Sequence, residues 1–401
     1  MKSQKSKVKS QNHKLKVKNL YDKYVLNTYT KTDLCLVKGK DEYVWDIEGR
    51  KYLDFFPGWA VSGIGHCNKY VIKNIRKQLN KIIHVSNNYY NELQGELSEV
   101  IIKNSFEGKV FYANSGSEAN EGAIKLARKF GSPDRFEVIT MEKSFHGRTL
   151  ATLAATGQDK VKKGFEPLPS GFLHVPFNDI NALKNAINPK TIAVMIELVQ
   201  GEGGINIADK EYIAEIRKIC DEKNLLLIID EVQTGIGRTG KMFAYEHYGI
   251  EPDIMTLAKS LGGGMPIGAM VVKEKFSGVL TPGSHASTFG GGPLVSAAAL
   301  GVFEAIKKDR LLNNVNKMSK YFENQLNKLK KKKQIIKKIN ILGLMIGLEI
   351  DMDDADVIYK KCLSKGLLIN CTQNNILRIM PPLSVDKKEI SDAVEILEAS
   401  L

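Results

Sequence analysis

The chain has no long hydrophobic segment, and its few cysteines form no recognisable pattern. No apolar run approaches the roughly 20 residues that a bilayer-spanning helix needs, and the first residues contain no apolar core typical of a secretory signal. The five cysteines are scattered, with no CxxC pair or cluster of histidine and cysteine that would indicate a metal site. We therefore expect a globular protein of the reducing cytoplasm that binds no metal and contacts no membrane.

Acidic residues are absent from two stretches, which together carry the excess positive charge of the chain. The formal net charge is +13, but residues 1–18 and 328–338 contain seven lysines each and no aspartate or glutamate. We expect the first stretch to be a disordered basic tail, because it has no periodic apolar face and repels itself, and the second to be the solvated end of a helix. Neither stretch interleaves aromatic residues or matches a nucleic-acid motif, so we expect no nucleic-acid partner.

Short apolar runs alternate with amphipathic helical patterns between about residues 109 and 275. The runs are KVFYA, FEVITM, TIAVMIE, NLLLIID, DIMTL and GAMVV. Because they are apolar along their whole length and are separated by helices, they predict an α/β domain with a mostly parallel sheet that is buried on both faces. Ligands of such sheets bind beyond the carboxyl ends of the strands.

After about residue 300 the pattern changes to that of a smaller α+β domain. Helical patterns cover about 293–333, with an interruption near Asp309, 353–365 and 386–399, and strand patterns lie near 340–350, 367–370 and 376–379. The segment YVWDIEGRKYLDF resembles a hairpin, and we expect it to join this domain. The predicted division of the chain is a tail at 1–18, an N-terminal segment of the small domain at 19–55, a large domain at 56–305 and the C-terminal part of the small domain at 306–401.

Two charged residues follow predicted strands. Asp230 ends the run NLLLIID, where its carboxylate either caps a turn or pairs with a buried cation such as a protonated pyridine nitrogen. Lys259 follows DIMTLA and precedes three glycines, a position that favours partial desolvation. A lysine needs such desolvation to react as an amine, and the alternative is a surface lysine in a turn.

The segment YANSGSEANEGAIKLARK predicts a strand, a turn of small residues and a helix. Gly116 and Ser117 lie at the predicted start of the helix, where free backbone N–H groups and the helix dipole favour a phosphate. Ser117 can equally serve as the N-cap of the helix, and the two interpretations are compatible.

Eight collinear stretches of the chain resemble class III (subgroup II) aminotransferases, a family of the pyridoxal-5′-phosphate (PLP) dependent fold type I superfamily. They span roughly residues 20–401 and are HVSNNYYNELQGEL, SGSEANE, SFHGRT, QGEGG, DEVQTGIGRTG, YEHYGIEPDIMTLAKSLGGGMPIGA, HASTFGGGP and GLLINCTQNNILRIMPPL. The spacing of DEVQ and AKSLGGG, with Lys259 29 positions after Asp230, is highly specific. The resemblance implies a large domain with a mostly parallel sheet of the seven-stranded type, a smaller α+β domain, and transaminase activity.

The resemblance also implies which residues bind the cofactor. Lys259 holds PLP as a Schiff base and moves the substrate proton, and Asp230 pairs with the protonated pyridine nitrogen, so these two are the implied catalytic residues. Gln233 bonds the phenolic oxygen of the cofactor, and Phe145 stacks on its ring. The full implied set is Gly116, Ser117, Phe145, Asp230, Glu231, Val232, Gln233, Lys259 and Thr288, the last supplied by the other subunit of a homodimer with shared active sites.

Four further residues are implied to bind substrate, namely Arg148, Glu202, Ser287 and Arg378. Arg148 clamps a carboxylate with its planar guanidinium, and Ser287 contacts the chain of the amino donor. Glu202 and Arg378 form a gate that is closed when the donor has a neutral or cationic tail and open when Arg378 binds the second carboxylate of 2-oxoglutarate. Taken singly, Phe145 is also compatible with a core position, Arg148 and Arg378 with surface ion pairs, and Thr288 with a turn cap.

The implied substrates are N-acetylornithine and 2-oxoglutarate, in arginine biosynthesis. Ornithine, succinylornithine, 4-aminobutyrate and a lysine-pathway compound are alternative donors. A non-catalytic, lysine-rich binding protein on a decayed scaffold is a further alternative, against which the intact Lys259, Asp230 and Arg148 argue.

Three residues depart from the family pattern, namely Trp59, Leu198 and Gly292. We expect Trp59 to narrow the pocket, which affects substrate identity and not the chemistry. Four histidines lie near the motifs and are expected to pack or form hydrogen bonds without a catalytic role: His66, His84, His146 and His285.

Overall fold

The computed structural model describes the backbone of residues 2–401 and the side chains of residues 11–401. The α-helices are α1 Lys2–Tyr24, α2 Lys69–Leu79, α3 Glu92–Lys103, α4 Gly116–Gly131, α5 Leu150–Ala155, α6 Asp159–Lys162, α7 Ile180–Ala186, α8 Lys210–Glu222, α9 Pro293–Lys308, α10 Leu311–Lys332, α11 Asp356–Ser364 and α12 Lys387–Glu398. The strands are β1 Leu36–Lys40, β2 Tyr43–Asp46, β3 Lys51–Asp54, β4 Gly108–Ala113, β5 Glu137–Met141, β6 Phe172–Val175, β7 Thr191–Ile196, β8 Val199–Gln200, β9 Asn206–Ile207, β10 Leu226–Asp230, β11 Ile254–Leu257, β12 Gly268–Lys273, β13 Ile336–Leu342, β14 Met345–Ile350, β15 Leu367–Leu368, β16 Asn370–Thr372 and β17 Ile376–Ile379.

A seven-stranded sheet forms the centre of the molecule, in the order β4-β12-β11-β10-β7-β5-β6. β12 is antiparallel to both of its neighbours, and the other adjacent strands are parallel. In β10, Leu227 and Ile229 belong to one apolar cluster, whereas Leu226 and Ile228 belong to another. Successive side chains of a strand point to opposite faces, so the sheet is buried on both faces. This confirms the predicted α/β class and the mostly parallel sheet.

One strand of this sheet, β6, is not among the apolar runs that predicted the other strands. It is a four-residue edge strand whose side chains are half-buried except at Val175. His174 interrupts its apolar residues, so it lacks the continuous apolar run that identified the other strands.

The remaining strands form small sheets around the C-terminal part of the chain. One has the order β13-β14-β17-β16 and is antiparallel throughout. In another, the predicted hairpin of β2 and β3 pairs with β15, where Leu53 lies opposite Leu367. The N-terminal segment therefore pairs with a strand of the C-terminal region. The domain boundaries at 19–55, 56–305 and 306–401 stay predictions.

The two lysine-rich stretches differ in how they fold. The structure has helix α1 where the sequence led us to expect a disordered tail, and Met1 lies outside the described residues. Lysine and glutamine are good helix formers, and Lys14 and Lys18 both pair with Asp33, at 3.1 and 3.2 Å. The helix was not predicted from the sequence because it has no apolar face. The second stretch contains the last turn of α10 and the start of β13, which agrees with the expected helix end.

A break between α9 and α10 confirms the predicted interruption near Asp309. Asp309 ends α9, and Arg310 has φ +51°, a left-handed conformation that a continuous helix does not contain. Within the described part of the chain, the helices are all too short or too polar to cross a bilayer.

Candidate active site

A cavity of about 400 Å³ lies at the carboxyl edge of the central sheet. It is lined by segments that follow β4, β5, β7, β10 and β11, because parallel strands end at the same edge of a sheet. It brings together the predicted residues Gly116, Ser117, Phe145, Glu202, Asp230, Val232, Gln233 and Lys259. The predicted residues that lie outside its lining are Arg148, Glu231, Ser287, Thr288 and Arg378.

Lys259 lies directly after β11, at the start of the 3-10 turn Lys259–Gly262, with φ +45°. Burial lowers the pKa of Lys259 below its ordinary value, and the carboxylates of Glu202, Asp230 and Glu197 oppose this only in part. A lowered pKa increases the fraction of neutral amine, which is the form that attacks a carbonyl carbon. The ε-amino group is therefore desolvated, and Lys259 is not a solvated turn lysine.

Asp230 is held by three hydrogen bonds at the end of β10. Its Oδ2 accepts from Asn120 Nδ2 and from His146 Nδ1, each at 2.8 Å, and its Oδ1 accepts from the backbone N–H of Val232 at 3.0 Å. Asn120 is oriented in turn by the hydroxyl of Thr256, which donates to its Oδ1 at 2.6 Å. Sequence analysis did not single out Asn120, although a polar residue among the small residues of α4 is a signal for a buried partner.

The start of α4 faces the cavity with Gly116 and Ser117. The N-cap is Ser115, whose Oγ accepts from the backbone N–H of Glu118 at 3.2 Å, so Ser117 is free of the capping role that was its alternative. A side chain at Gly116 would have its Cβ 2.7 Å from Val232 Cγ1. The glycine therefore lets the helix start lie close to the loop after β10, with N–H groups available for an anion.

Gln233 has a buried amide without a partner. Neither its Oε1 nor its Nε2 has a hydrogen-bond partner among the described residues, and an unpaired buried polar group costs about 1–3 kcal/mol. Glu231, in contrast, is satisfied away from the cavity, because it accepts from the hydroxyl of Thr234 at 2.5 Å and from the backbone N–H of Tyr245 at 2.9 Å. Gln233 thus offers both donor and acceptor to a bound group.

Phe145 and Glu197 lie together in the cavity. Glu197 Oε2 accepts from the backbone N–H of Phe145 at 2.9 Å, and burial raises the pKa of Glu197 to about 7. Sequence analysis did not select Glu197, although it precedes the QGEGG motif. Arg148 is exposed beside them, with its guanidinium carbon 5.5 Å from the centroid of the Phe145 ring, and so lies near the cavity without lining it.

Glu202 and Arg378 form an ion pair, at 2.8 Å between Glu202 Oε1 and Arg378 Nη1. Arg378 is fully buried, whereas the Glu202 side chain is 22% exposed. Trp59 does not line the cavity, and its ring centroid lies 5.1 Å from the Arg378 guanidinium carbon. The structure therefore places Trp59 against the arginine of the expected gate.

Ser287 and Thr288 belong to a loop outside the cavity of their own chain. Ser287 Oγ accepts from the backbone N–H of Gly290 at 3.1 Å and from Asn114 Nδ2 at 3.4 Å, and Thr288 is exposed. The neighbouring Phe289 is 63% exposed. Of the other two departures from the family pattern, Leu198 is buried in the core and Gly292 precedes the first turn of α9.

Residues 24–401 match the family described as aminotransferase class-III. The chain belongs to the class III aminotransferases. This aminotransferase is 54% identical over 380 residues to the acetylornithine aminotransferase of Caldanaerobacter subterraneus subsp. tengcongensis, covering 94% of this chain and 96% of that protein. It is 51% identical over 384 residues to the acetylornithine aminotransferase of Methanocaldococcus jannaschii, covering 95% and 96%.

Solved structures of similar fold include two aminotransferases. The ornithine aminotransferase of Toxoplasma gondii ME49 has a TM-score of 0.93 and 32% identity, covering 96% of this chain and 94% of that chain. The acetylornithine aminotransferase of Elizabethkingia anophelis has a TM-score of 0.86 and 30% identity, covering 96% and 98%. The fold type I architecture predicted from the sequence is thereby confirmed.

The cofactor of this aminotransferase is PLP, and the cavity fits it on several independent counts. A helix start offers N–H groups for the phosphate, and Gly116 leaves no room for a side chain there. The unpaired amide of Gln233 would be available to the ring substituents, and the Asp230 carboxylate in the cavity lining would be available to a ring nitrogen. Lys259 supplies the amine that can bind the carbonyl carbon of the cofactor.

Proposed function

We propose that this enzyme transfers the δ-amino group of N2-acetyl-L-ornithine to 2-oxoglutarate by a ping-pong mechanism, in arginine biosynthesis. The observation that carries the proposal is the ion pair between Glu202 and the fully buried Arg378. The names of relatives with 54% and 51% identity over most of the chain agree with it.

The ion pair suits two substrates of different charge. Leaving a buried arginine without its partner costs about 3–5 kcal/mol, so Glu202 has to stay beside Arg378 when the donor presents a neutral acetamide tail. The second carboxylate of 2-oxoglutarate can replace Glu202, whose partly exposed side chain is free to turn away. Arg148, near Phe145, is the residue we assign to the carboxylate that both substrates share.

The catalytic roles are assigned to the residues that line the cavity. When bound, PLP supplies an electron sink that makes the proton on the amino-bearing carbon acidic. We assign to Lys259 the covalent hold on the cofactor and the transfer of that proton, and to Asp230 the retention of the proton on the ring nitrogen. Gly116 and Ser117 are assigned to the phosphate and Gln233 to the phenolic oxygen.

The enzyme is further proposed to act as a homodimer with shared sites. Thr288 is exposed and does not line the cavity of its own chain, so its proposed phosphate contact requires the other subunit. Large aromatic side chains are exposed around it, including Phe289 at 63% and Tyr89 at 71%, and such patches are typical of interfaces. The segment that contains Tyr89 lies against the segment that contains Phe289, because Asn87 Nδ2 donates to the carbonyl groups of Ser287 and Gly290.

A cytoplasmic location is proposed from the free thiols of the five cysteines, because paired cysteines are typical of oxidising compartments. Fractionation of cells that produce the protein at native levels, with activity measured in each fraction, tests this location.

A panel of amino donors with 2-oxoglutarate as acceptor tests the substrate proposal. We expect kcat/KM for N-acetylornithine to exceed that for ornithine, succinylornithine and 4-aminobutyrate by at least about tenfold, equivalent to about 1.4 kcal/mol in the transition state. A higher kcat/KM for any of the others would reassign the donor while leaving the aminotransferase chemistry in place.

A further inference from the structure

Arg378 lies in a row of paired residues that crosses the sheet β13-β14-β17-β16. Its direct partners are Asn370 on β16 and Gly347 on β14, and directly paired residues point to the same face of a sheet. A side chain at Gly347 would have its Cβ 3.0 Å from Ile205 Cβ. The glycine therefore lets the loop that carries Glu202 lie close against this face.

Asn370 is the main neutral anchor of the Arg378 side chain. Its Oδ1 accepts from Arg378 Nη2 at 2.8 Å and from Nε at 3.2 Å. The third nitrogen, Nη1, donates to the carbonyl of Gly201 at 2.7 Å and to Glu202 Oε1 at 2.8 Å. Among the described residues, Glu202 supplies the only carboxylate within 4.0 Å of the guanidinium.

We propose that Asn370 is a positioning residue that fixes Arg378 without neutralising its charge, and thereby makes the site selective for a dicarboxylate acceptor. This inference rests on the proposed gate. When Glu202 turns away, the bonds to Asn370 hold the Nε and Nη2 edge in place, and Nη1 is left facing the incoming carboxylate. An aspartate at position 370 would keep the same geometry but neutralise Arg378 permanently. A second substrate carboxylate would then gain little binding free energy from Arg378.

The same hairpin also fixes the backbone of the movable partner. The hydroxyl of Thr372 donates to the carbonyl of Glu202 at 3.0 Å, and Gln373 Nε2 donates to it at 2.8 Å. With its carbonyl oxygen held by two hydrogen bonds, Glu202 can leave Arg378 by rotation of its side chain alone. The hairpin β16–β17 thus carries Arg378 and also fixes the backbone of Glu202.

The test compares ligands that differ only in the second carboxylate. Binding of glutarate and of pentanoate to the PLP holoenzyme is measured by the change in cofactor absorbance, with no amino donor present. For Asn370→Asp we expect the Kd of glutarate to rise at least about tenfold and that of pentanoate to change less than about twofold. In turnover, the KM for 2-oxoglutarate should rise while the rate of the donor half-reaction is kept.

Asn340→Asp is the matched control. Asn340 lies on β13 opposite Gly347, in the same row, so the variant adds the same charge two strands, or about 10 Å, from Arg378. It should leave the ratio of the glutarate and pentanoate Kd values at the wild-type level. Asn370→Ala removes the acceptor without adding charge, and should raise the Kd of glutarate by roughly threefold and leave that of pentanoate unchanged.

Three results would overturn the proposal. They are wild-type glutarate affinity in both Asn370 variants, an equal loss for glutarate and pentanoate, and an Asn340→Asp effect as large as that of Asn370→Asp. The binding assay contains no amino donor. Its result can therefore be interpreted even if the donor panel shows that acetylornithine is not the preferred donor.

Discussion

His146 Nδ1 lies 2.8 Å from Asp230 Oδ2, and both buried side chains line the cavity. Burial alone would lower the pKa of His146, but the hydrogen bond and the charge of Asp230 outweigh it and raise that pKa above its ordinary value. Nδ1 faces the carboxylate and donates to it. Together with Asn120, this holds the Asp230 carboxylate in a single orientation, available to a protonated ring nitrogen.

Replacement of Asp230 by asparagine should leave a folded protein that binds PLP but loses most of its turnover. An amide cannot stabilise the protonated ring nitrogen, and the electron sink is lost with that proton. Steady-state kcat is the measurement, with cofactor content determined by absorbance. A variant within about threefold of wild type, equivalent to less than about 1 kcal/mol of barrier, contradicts the assigned role.

Replacement of Lys259 by alanine should abolish turnover without unfolding the protein, because within the described lining of the cavity Lys259 is the only primary amine. In the wild type, borohydride reduction of the holoenzyme followed by peptide mapping should label Lys259. Label on a different lysine would refute the assignment.

The gate is tested by single-turnover measurement of each half-reaction. Arg378→Ala should slow mainly the reaction with 2-oxoglutarate, whereas Arg148→Ala should slow both halves, since it is assigned to the carboxylate that both substrates share. Glu202→Ala should slow the acetylornithine half-reaction and spare that with glutamate, because the buried Arg378 then lacks a partner only with the first donor.

The gate is wrong for this enzyme if Arg378→Ala slows both halves equally, or if Glu202→Ala leaves the donor preference unchanged. Either result leaves the family assignment and the role of Lys259 intact.

Mixed dimers test whether Thr288 acts across subunits. Thr288→Asp should prevent PLP retention by repelling the phosphate, and Lys259→Ala should abolish turnover, so each homodimer is inactive. If Thr288 serves the site of the other subunit, a dimer of one Thr288→Asp chain and one Lys259→Ala chain contains one intact site. We expect about half of the wild-type activity per mixed dimer, and no activity if Thr288 serves its own chain.

The pH dependence of stability should reflect Glu231, because burial raises the pKa of this residue from 4.5 to about 7. Between these values the folded state binds the proton that the unfolded state has lost, so stability falls as the pH rises through 7. The effect is on the order of 3 kcal/mol for this group. The urea concentration at the midpoint of unfolding should therefore fall less between pH 5 and pH 8 in Glu231→Gln than in the wild type.

The exposed Glu211→Gln on α8 serves as the control and should retain the wild-type pH dependence. An unchanged difference between pH 5 and pH 8 in Glu231→Gln would show that Glu231 is not protonated in the folded protein at low pH.

Sequence patterns and the family resemblance identified the fold class and eight of the residues that line the cavity. Apolar runs such as that of β10 identify a sheet buried on both faces, and motifs at the ends of these runs meet because parallel strands share one carboxyl edge. Asp230 and Lys259 were located in this way, since short local patterns place them at the ends of β10 and β11. The weak edge strand β6 and the helix α1 escaped because neither has the apolar periodicity on which such predictions depend.

The polar groups that contact the functional residues are brought to them by the packing of the folded chain. Asn120 and His146 lie 110 and 84 positions from Asp230 in the chain and are its hydrogen-bond partners, and the carbonyl of Gly201, which accepts from Arg378 Nη1, lies 177 positions from that arginine. Local sequence patterns carry no information on such pairs, because the geometry of a hydrogen bond is set by how distant segments pack. For the same reason the sequence could not tell that Glu231, next to Asp230, turns away from the cavity that its neighbour lines.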